Sequence, residues 1–287
     1  MNNKILVTGA NGQLGKELRA IAGDWPQFAF IFLSKEELSI LNFEETRRYF
    51  EQTRPFACIN CAAYTAVDKA EADKEQAFLV NAEAVRLLAA VCAGFSTKFI
   101  HISTDYVFDG HSVIPLKEED PTGPINVYGA SKLLGEELAF RENEETVVIR
   151  TSWVYSEFGN NFVKTMIRLM RERPSVNVID DQLGSPTYAA DLAGAILHIL
   201  GDGEFIPGIY HYSNEGEISW YDFAVAIKEL TGSICEVLPI PGSQYPTAAR
   251  RPHYSLLDKT RIRQTYGLSI PAWRDSLVAC LARIEKS

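Results

Sequence analysis

The residues with the clearest capacity for chemistry are Tyr128 and Lys132, in the sequence Tyr128-Gly-Ala-Ser-Lys132. On a helix this spacing places both side chains on one face, one turn apart. A phenol has a reference pKa of about 10, and an ammonium held nearby favours the phenolate and lowers that pKa towards neutrality. The pair could therefore transfer a proton. Of the 12 tyrosines, Tyr128 alone has a lysine four positions later, although such pairs also arise by chance.

The segments on either side of this pair predict a doubly wound α/β fold. Short apolar runs alternate with longer segments of helical character, and this alternation is typical of a parallel sheet covered by helices. Strands buried on both faces are apolar throughout, as these runs are. We predict strands at 4–8, 28–33, 57–61, 98–103 and 146–151, and helices that end at 22, that span 42–52 and 73–92, and that begin near 126.

After about residue 155 the alternation is less regular, and the loops are rich in Gly, Pro and Asn. We therefore expect residues 1–155 to form a dinucleotide-binding Rossmann domain. Residues 156–287 are expected to form mainly a smaller C-terminal substrate-binding lobe, with some segments returning to the main sheet. In this part we predict helices at 162–171, 189–200, 220–230 and 273–284, and strands at 176–179, 208–212 and 235–240.

Composition argues against several classes of function. The chain has 287 residues, of which 46% are hydrophobic, so it can bury a full core. Its net charge of −9 argues against nucleic acid as a partner. No apolar run in the sequence approaches the ~20 residues of a membrane span, and polar residues 2–4 lead directly into the first strand. We therefore expect a cytoplasmic protein that binds neither nucleic acid nor membranes.

The five cysteines are thinly spread, which suits a reducing compartment. Cys58 and Cys61 have the spacing of a redox or zinc pair. In a strand, however, an offset of three sends the two thiols to opposite faces. The sequence has no second such pair to complete a metal site. We interpret these cysteines as buried structural residues and expect no bound metal.

A glycine-rich turn directly follows the first predicted strand and precedes a helix. This context is typical of dinucleotide-binding turns, in which glycine lets the backbone approach a diphosphate and the helix N-terminus offers free N–H groups. The spacing here is G-x-x-G-x-x-G rather than G-x-G-x-x-G. The predicted cofactor-binding residues of this turn are Gly9, Asn11, Gly12, Gln13, Leu14 and Gly15.

Three further loops leave the predicted carboxyl ends of strands, where doubly wound sheets bind ligands. In the first, Ala62 and Ala63 are small enough for a cofactor to lie against the backbone, or they are packing residues. In the second, the hydroxyls of Ser103 and Thr104 come together with Asp105, either as part of a site or as a turn held by polar side chains. In the third, Trp153 is either a sugar or base platform or a core residue. These loops are 60–64, 103–110 and 150–155.

Taken together, these segments resemble the extended short-chain dehydrogenase/reductases. Within that family, the chain is most similar to the branch that reduces dTDP-linked 4-keto-6-deoxysugars, and the similarity runs nearly from end to end. The resemblance implies reduction of dTDP-6-deoxy-L-lyxo-4-hexulose at C4 to dTDP-L-rhamnose. The segments that support the narrower match are 65–71, 159–162, 181–187 and 251–252.

The resemblance also implies a role for each residue of the site. Tyr128 would donate a proton to the C4 carbonyl oxygen, and Lys132 would hold the nicotinamide ribose and lower the pKa of the tyrosine. Thr104 would hydrogen-bond the same oxygen and stabilise the developing alkoxide. The residues expected to contact the substrate are Thr104, Asp105, Trp153, Asn161 and Arg251, the last at the diphosphate.

The end of the second strand points to the choice of cofactor. An acidic residue there normally accepts the ribose hydroxyls of NADH, but this chain has Ser34 and Lys35, and no acid before Glu36. We therefore predict that NADPH is preferred and NADH is accepted. The remaining predicted cofactor contacts are Ser34, Lys35, Ser39, Ile40, Ala62, Ala63 and Tyr64, together with Tyr128 and Lys132.

Some members of the family dimerise through magnesium held by glutamates. A homodimer is compatible with the resemblance, but only Glu17 matches one of those positions, and residues 188–191 contain no glutamate, so we do not expect the metal bridge. Two other functions remain open at this stage. One is a nucleotide-sugar 4-epimerase of the same family, and the other is a non-catalytic regulatory subunit with the same fold.

Overall fold

Parallel strands form the central sheet of the computed structural model, which describes residues 3–201 and 204–286; Asn2 lies outside this range. The strands are β1 (Lys4–Thr8), β2 (Ala29–Leu33), β3 (Ala57–Asn60), β4 (Lys98–Thr104), β5 (Thr146–Thr151), β6 (Val154–Tyr155), β7 (Ser175–Ile179), β8 (Leu183–Gly184), β9 (Thr187–Tyr188), β10 (Gly208–His211), β11 (Ile218–Ser219) and β12 (Glu236–Ile240).

The six-stranded sheet has the order β10-β5-β4-β3-β1-β2, and all its pairings are parallel. This confirms the doubly wound α/β fold. The strand order reverses at β1, which lies between β2 and β3. Loops that leave the carboxyl ends of β1 and β3 therefore turn towards opposite faces and open a crevice, which is where ligands bind in such sheets.

Helices cover both faces of this sheet. One face packs against α1 and α8, and the other against α2, α5 and α6. The helices are α1 (Gln13–Ile21), α2 (Phe43–Thr53), α3 (Val67–Ala70), α4 (Lys74–Phe78), α5 (Ala84–Gly94), α6 (Val127–Glu142), α7 (Phe162–Glu172), α8 (Ala189–Gly201), α9 (Trp220–Thr231), α10 (Thr260–Tyr266) and α11 (Trp273–Ile284).

The stretch predicted as one helix at 73–92 is continuous from Lys74 to Gly94, but it contains a π-helical turn at Leu79–Glu83. By length and composition this helix could cross a membrane. This corrects the expectation that no apolar run in the sequence approaches the length of a membrane span. Half of its apolar window is buried, and it packs against β4 and α6. A core helix of this kind passes the same test, so it is weak evidence for a membrane span.

The second half of the chain contributes to both the sheet and a separate core. β10 pairs with β5 in the main sheet, and α8 packs on α1. In contrast, α7, α9 and α11 surround the parallel pair β7 and β12 and bury a second apolar cluster. The division of the chain into domains at residue 155 stays a prediction.

Cys58 and Cys61 point to opposite sides of the sheet, as the strand offset predicts. Cys58 lies in the cluster beneath α2 and α5, whereas Cys61 packs against the cluster beneath α1 and α8. All five cysteines are free thiols. Cys61 differs from the expectation in being only partly buried, because it lines a cavity beside the glycine turn.

Candidate active site

Tyr128 and Lys132 lie on successive turns of α6. The helix begins at Val127 because Asn126 caps it: the Asn126 side-chain oxygen accepts the Gly129 N–H at 2.7 Å. Asn126 also donates to the Arg250 carbonyl at 2.8 Å, which ties the start of the helix to a distant segment. Asn126 therefore fixes the first turn of the helix that carries both reactive side chains.

Thr104 and Asp105 lie at the carboxyl end of β4, in a short 3₁₀ turn. The Thr104 hydroxyl donates to Asp105 Oδ1 at 3.0 Å and accepts the Tyr106 N–H at 3.2 Å. The Tyr106 ring meets the Tyr128 ring edge to face, with centroids 5.8 Å apart. The structure thus brings the predicted threonine, aspartate and tyrosine to one edge of the sheet.

Tyr128 carries its proton at neutral pH. Burial raises its pKa to about 12, although a hydrogen bond with Thr104 acts in the opposite direction. The expectation of a lowered Tyr128 pKa is therefore wrong, because burial has the largest effect on it. A protonated phenol suits a residue that gives a proton to a developing alkoxide.

Lys132 is 1% exposed. Its Nζ donates to the Ile102 carbonyl at 2.6 Å and lies 3.2 Å from His101 Nε2. Burial lowers the pKa of Lys132 to about 8, with the Glu136 carboxylate opposing this effect. At neutral pH the charged and neutral forms of this amine are consequently close in free energy.

Asp105 is a buried carboxyl group that binds its proton more tightly than an exposed aspartate does. Burial raises its pKa to about 6, against hydrogen bonds from Ser255 and Thr104 that lower it. Its Oδ2 atom has no partner among the described residues. An unsatisfied carboxylate oxygen at this edge is available to a ligand hydroxyl.

A cavity of about 550 Å³ lies beside the glycine turn. Gly9 has a φ of +65°, and a Cβ there would lie 2.6 Å from the Ala62 backbone nitrogen, so only glycine fits. No side chain caps the N-terminus of α1 at Gly12, which leaves N–H groups for an anion. The cavity is lined by the predicted residues Gly9, Asn11, Gly12, Lys35, Ser39, Ile40, Ala62, Ala63 and Tyr64.

Besides Tyr128 and Lys132 of α6, four predicted cofactor residues do not line this cavity. Gln13 accepts a hydrogen bond from Asn161 at 2.9 Å, and Leu14 is buried in the core. Gly15 supports the turn, because a Cβ there would lie 2.6 Å from the Gly9 carbonyl oxygen. Ser34 is buried at the end of β2. Cofactor contacts by these four residues stay predictions.

The end of β2 includes an acidic group. The Ser34 N–H donates to the Glu37 carboxylate at 2.8 Å, and the Ser34 hydroxyl accepts the Glu37 N–H at 3.3 Å. The hydrogen bond from the Ser34 backbone lowers the pKa of Glu37. The Glu37 carboxylate therefore lies at this strand end beside the predicted Ser34 and Lys35.

A second cavity, of about 570 Å³, lies between α7 and β7. Phe162 and Trp220 contribute aromatic surface to it, and Arg251 contributes a cation. The Arg251 guanidinium donates to both carboxylate oxygens of Asp68, at 2.7 and 3.1 Å. Trp153 stacks on Trp220, which places it next to this cavity. An apolar cavity with one oriented cation suits an anionic ligand with a flat ring.

Asn161 has its side chain fully engaged. The side-chain oxygen caps α7 by accepting the Lys164 N–H at 3.1 Å, and the side-chain nitrogen donates to Gln13 and to the Ser156 carbonyl at 2.7 Å. A direct contact between Asn161 and substrate would break one of these bonds. The substrate role of Asn161 stays a prediction.

Glu17, which matches a metal-binding position of the family, is completely buried. It accepts a hydrogen bond from Ser156 at 2.6 Å and lies 3.5 Å from Arg283. Burial raises its pKa to about 8. Among residues 3–201 and 204–286, no group of three or more His, Cys, Asp or Glu could hold a metal ion.

Three residues of the site escaped sequence reasoning: Asn81, His101 and Asp68. Asn81, in the π-helical turn, donates to the Tyr64 carbonyl at 3.0 Å and accepts the Tyr64 N–H at 2.8 Å, so it fixes the loop after β3. The signal for Asp68 was its place in segment 65–71, which supports the family resemblance. Nothing in the local sequence distinguishes Asn81 or His101.

This combination of a dinucleotide cavity at the reversal point of a parallel sheet with a Thr, Tyr and Lys set defines an oxidoreductase of the short-chain dehydrogenase/reductase class. The class is broad, and comparisons narrow it. The chain belongs to the family described as RmlD substrate binding domain, whose model matches residues 3–286.

Three similar proteins illustrate this family. A dTDP-4-dehydrorhamnose reductase of Burkholderia thailandensis is 40% identical over 97% of this chain and 98% of its own. The spore coat polysaccharide biosynthesis protein SpsK of Bacillus subtilis is 40% identical over 96% of this chain and 95% of its own. The crystal structure of dTDP-4-dehydrorhamnose reductase from Bacillus anthracis in complex with NADP is 38% identical, with a TM-score of 0.95, and covers 99% of this chain and 100% of that chain.

Proposed function

We propose that the protein reduces dTDP-4-dehydrorhamnose (dTDP-6-deoxy-L-lyxo-4-hexulose) at C4 to dTDP-L-rhamnose, with NADPH as the reductant. The observation that carries this proposal is the protonated Tyr128 beside Thr104, at a sheet edge flanked by two cavities. The names of the relatives support the substrate, and the NADP complex of the Bacillus anthracis relative supports the cofactor.

The residues of the first cavity suit a dinucleotide. The glycine turn and the free N–H groups at the start of α1 would hold the diphosphate, and Ser39 and Ile40 would flank the adenine. Lys132 would donate to the nicotinamide ribose. When bound there, NADPH supplies the hydride that reaches C4 of the sugar.

The chain's own residues supply the proton and the charge stabilisation. As the carbonyl carbon accepts a hydride, its oxygen becomes an alkoxide and takes the proton of the Tyr128 hydroxyl. The Thr104 hydroxyl donates to Asp105 in the structure, and it would turn this one proton to the same oxygen to stabilise the charge as it develops. The nearby Lys132 ammonium stabilises the phenolate that Tyr128 becomes, until a solvent proton restores the phenol.

The second cavity would hold the substrate's nucleotide. Its aromatic surface from Phe162 and Trp220 suits a thymine ring, and Arg251 suits a diphosphate, since a guanidinium pairs well with phosphate oxygens. Trp153 and the free Oδ2 of Asp105 would contact the deoxysugar. The product would serve surface polysaccharide synthesis, as the name of the SpsK relative suggests, and we place the enzyme in the cytoplasm.

The decisive experiment is a spectrophotometric assay with dTDP-4-dehydrorhamnose and added NADPH. We expect one NADPH to be oxidised for each sugar reduced, and NMR of the product to show the rhamno configuration. Conversion of the sugar without net loss of NADPH absorbance would instead indicate a 4-epimerase. Absence of turnover with a folded, NADPH-binding protein would indicate a regulatory subunit. A Tyr128→Phe preparation is the matched blank for contaminating reductases.

A further inference from the structure

A row of buried polar side chains runs from the first strand to Lys132. The Thr8 hydroxyl donates to Asn60 Oδ1 at 2.7 Å, and Asn60 Nδ2 lies 3.1 Å from His101 Nδ1. His101 Nε2 in turn lies 3.2 Å from Lys132 Nζ. Thr8, Asn60, His101 and Lys132 are each at most 1% exposed, so the row is closed to solvent and its hydrogen bonds must be satisfied internally.

The direction of these hydrogen bonds follows from one backbone group. The Ala62 N–H donates to Asn60 Oδ1 at 3.2 Å, and a backbone N–H can only donate. This identifies the Asn60 oxygen, so the other end of the amide is the NH₂ group that faces His101. His101 Nδ1 must therefore accept, and the proton of the neutral imidazole lies on Nε2.

The Nε2 proton points at the amine of Lys132. An ammonium has three donors and no acceptor, whereas a neutral amine has a lone pair that can accept. His101 itself is held neutral, since burial and the neighbouring lysine keep its pKa well below the ordinary value. The contact between His101 and Lys132 therefore favours the neutral amine.

Other groups also face Lys132. Glu136 is on its own helix, and Cys61 approaches from the loop after β3. Glu136 favours the ammonium, but its carboxylate is shared with Arg150 of β5 at 2.7 Å. The Cys61 thiol stays protonated because burial raises its pKa. His101 is thus the neighbour that opposes the charge through hydrogen-bond geometry.

We propose that Asn60 and His101 form a tautomer lock: Asn60 fixes the Nε2–H form of His101, and this form positions the Lys132 amine and disfavours its ammonium. His101 is a positioning residue that acts through Lys132 and need not touch substrate. The lock would make the lysine charge depend on pH near neutrality, and so limit activity on the alkaline side. The kinetic part of the test rests on the proposed function, whereas the NMR part does not.

The tautomer can be observed directly in the unmodified protein. In ¹⁵N-histidine-labelled protein, two-bond ¹H–¹⁵N spectra distinguish a protonated ring nitrogen from an unprotonated one. We expect the His101 Nε2 to be protonated and Nδ1 unprotonated between pH 6 and about 8. An Nδ1–H tautomer or an imidazolium in this range would overturn the proposal, whatever the variants show. The His101→Phe protein assigns the signals.

The functional consequence is tested with Asn60→Asp. The carboxylate would still accept from Thr8 and Ala62, but it would also accept from His101 Nδ1–H, which turns the Nε2 lone pair towards Lys132. We expect the Lys132 midpoint, followed by ¹³C NMR of labelled lysine Cε, to rise by about one pH unit or more. The alkaline limit of kcat/KM should move in the same direction.

A negative charge would also raise the midpoint without any tautomer change, so the control is the same substitution in the His101→Phe background. If the lock operates, Asn60→Asp should raise the proton affinity of Lys132 roughly tenfold more when the imidazole is present than when it is absent. Equal shifts in the two backgrounds would mean that only the added charge acts, and the lock would be rejected.

Discussion

The indole rings of Trp153 and Trp220 are stacked, with centroids 3.7 Å apart and an angle of 14° between their planes. Trp153 is partly buried, and its backbone φ is +47°, a value that residues other than glycine rarely adopt. The sequence offered two alternatives, a sugar platform or a core residue. The stacking shows that one face of the ring is packed, and the role of Trp153 as a sugar platform stays a prediction.

We therefore expect Trp153→Ala to affect both stability and substrate binding. Loss of a half-buried aromatic should cost about 1–3 kcal/mol, less than a fully buried one, and KM for the nucleotide sugar should rise. Trp153→Phe should recover much of both. Trp25→Ala, which removes a stacked aromatic far from the cavities, should lower Tm with KM unchanged. Kinetics beside thermal melts separate these effects, and an unchanged KM in Trp153→Ala would exclude the platform.

Tyr128→Phe removes only the hydroxyl that is proposed to give the proton. The ring and its edge-to-face contact with Tyr106 remain, so Tm and NADPH binding should be unchanged. We expect kcat to fall by ~10²-fold or more. Tyr49→Phe, at a partly buried tyrosine of α2, is the matched control and should keep full activity. A Tyr128→Phe enzyme with most of its kcat would show that another group donates the proton.

Asp105→Asn should stabilise the protein at neutral pH while it lowers activity. Because the pKa of Asp105 is raised from 3.8 to about 6, the folded state binds this proton more tightly than the unfolded state. Stability is therefore lost as pH rises from about 4 to about 6. The asparagine variant escapes this loss, so its free energy of unfolding at pH 7.5 should exceed that of the unmodified protein by about 1–3 kcal/mol.

Denaturant unfolding at two pH values checks this expectation for Asp105. The advantage of the asparagine variant should shrink or vanish near pH 3, where the aspartate is mostly protonated in both states. Asp109→Asn, in the same loop but exposed, should show no such pH dependence. A variant that is less stable at pH 7.5 would mean that the free Oδ2 atom has a stabilising partner.

Asp68 holds the Arg251 guanidinium through two hydrogen bonds, and the contact of Arg251 with the substrate's diphosphate stays a prediction. The pair lowers the pKa of Asp68, chiefly through the hydrogen bond from the arginine. Arg251→Met should raise KM for the nucleotide sugar by about tenfold or more, which corresponds to the loss of one charge-assisted hydrogen bond. KM for NADPH should change little. Arg263→Met, which removes an exposed ion pair with Glu215, should leave both constants unchanged.

Much of the architecture was predictable, because local rules and tertiary structure agree. β1, the glycine turn and α1 follow one another without a break, and Asn126 caps α6 where the sequence placed the start of the helix. The neighbourhood of Lys132 was not predictable. His101 lies on β4, and only the packing of α6 against β4 brings its ring to the lysine. The pKa of Tyr128 was misjudged for the same reason, since burial depends on packing across the chain.

The choice of cofactor depends on opposing charges at the end of β2. Lys35 is exposed and lines the dinucleotide cavity. Arg19, which lies over the Phe32 ring at 4.5 Å, adds a second cation nearby. Glu37 acts against them, because its carboxylate accepts the Ser34 N–H and the lowered pKa keeps it ionised at neutral pH. Cations favour the 2′-phosphate of NADPH, whereas a carboxylate favours the free hydroxyl of NADH.

We expect NADPH to be preferred and NADH to be accepted. Exposed charges of this kind typically change affinity by about fivefold or less, so neither cofactor should be excluded. Lys35→Asp should reverse the order, and Glu37→Gln should strengthen the preference for NADPH by roughly two- to fivefold. Glu44→Gln, at an exposed acid of α2 that does not line the cavity, is the control and should have the smaller effect. The measurement is kcat/KM with each cofactor at low and high salt, because screening should weaken every one of these differences. A kcat/KM with NADH that equals or exceeds that with NADPH in the unmodified protein would show that the Glu37 carboxylate dominates this corner of the site.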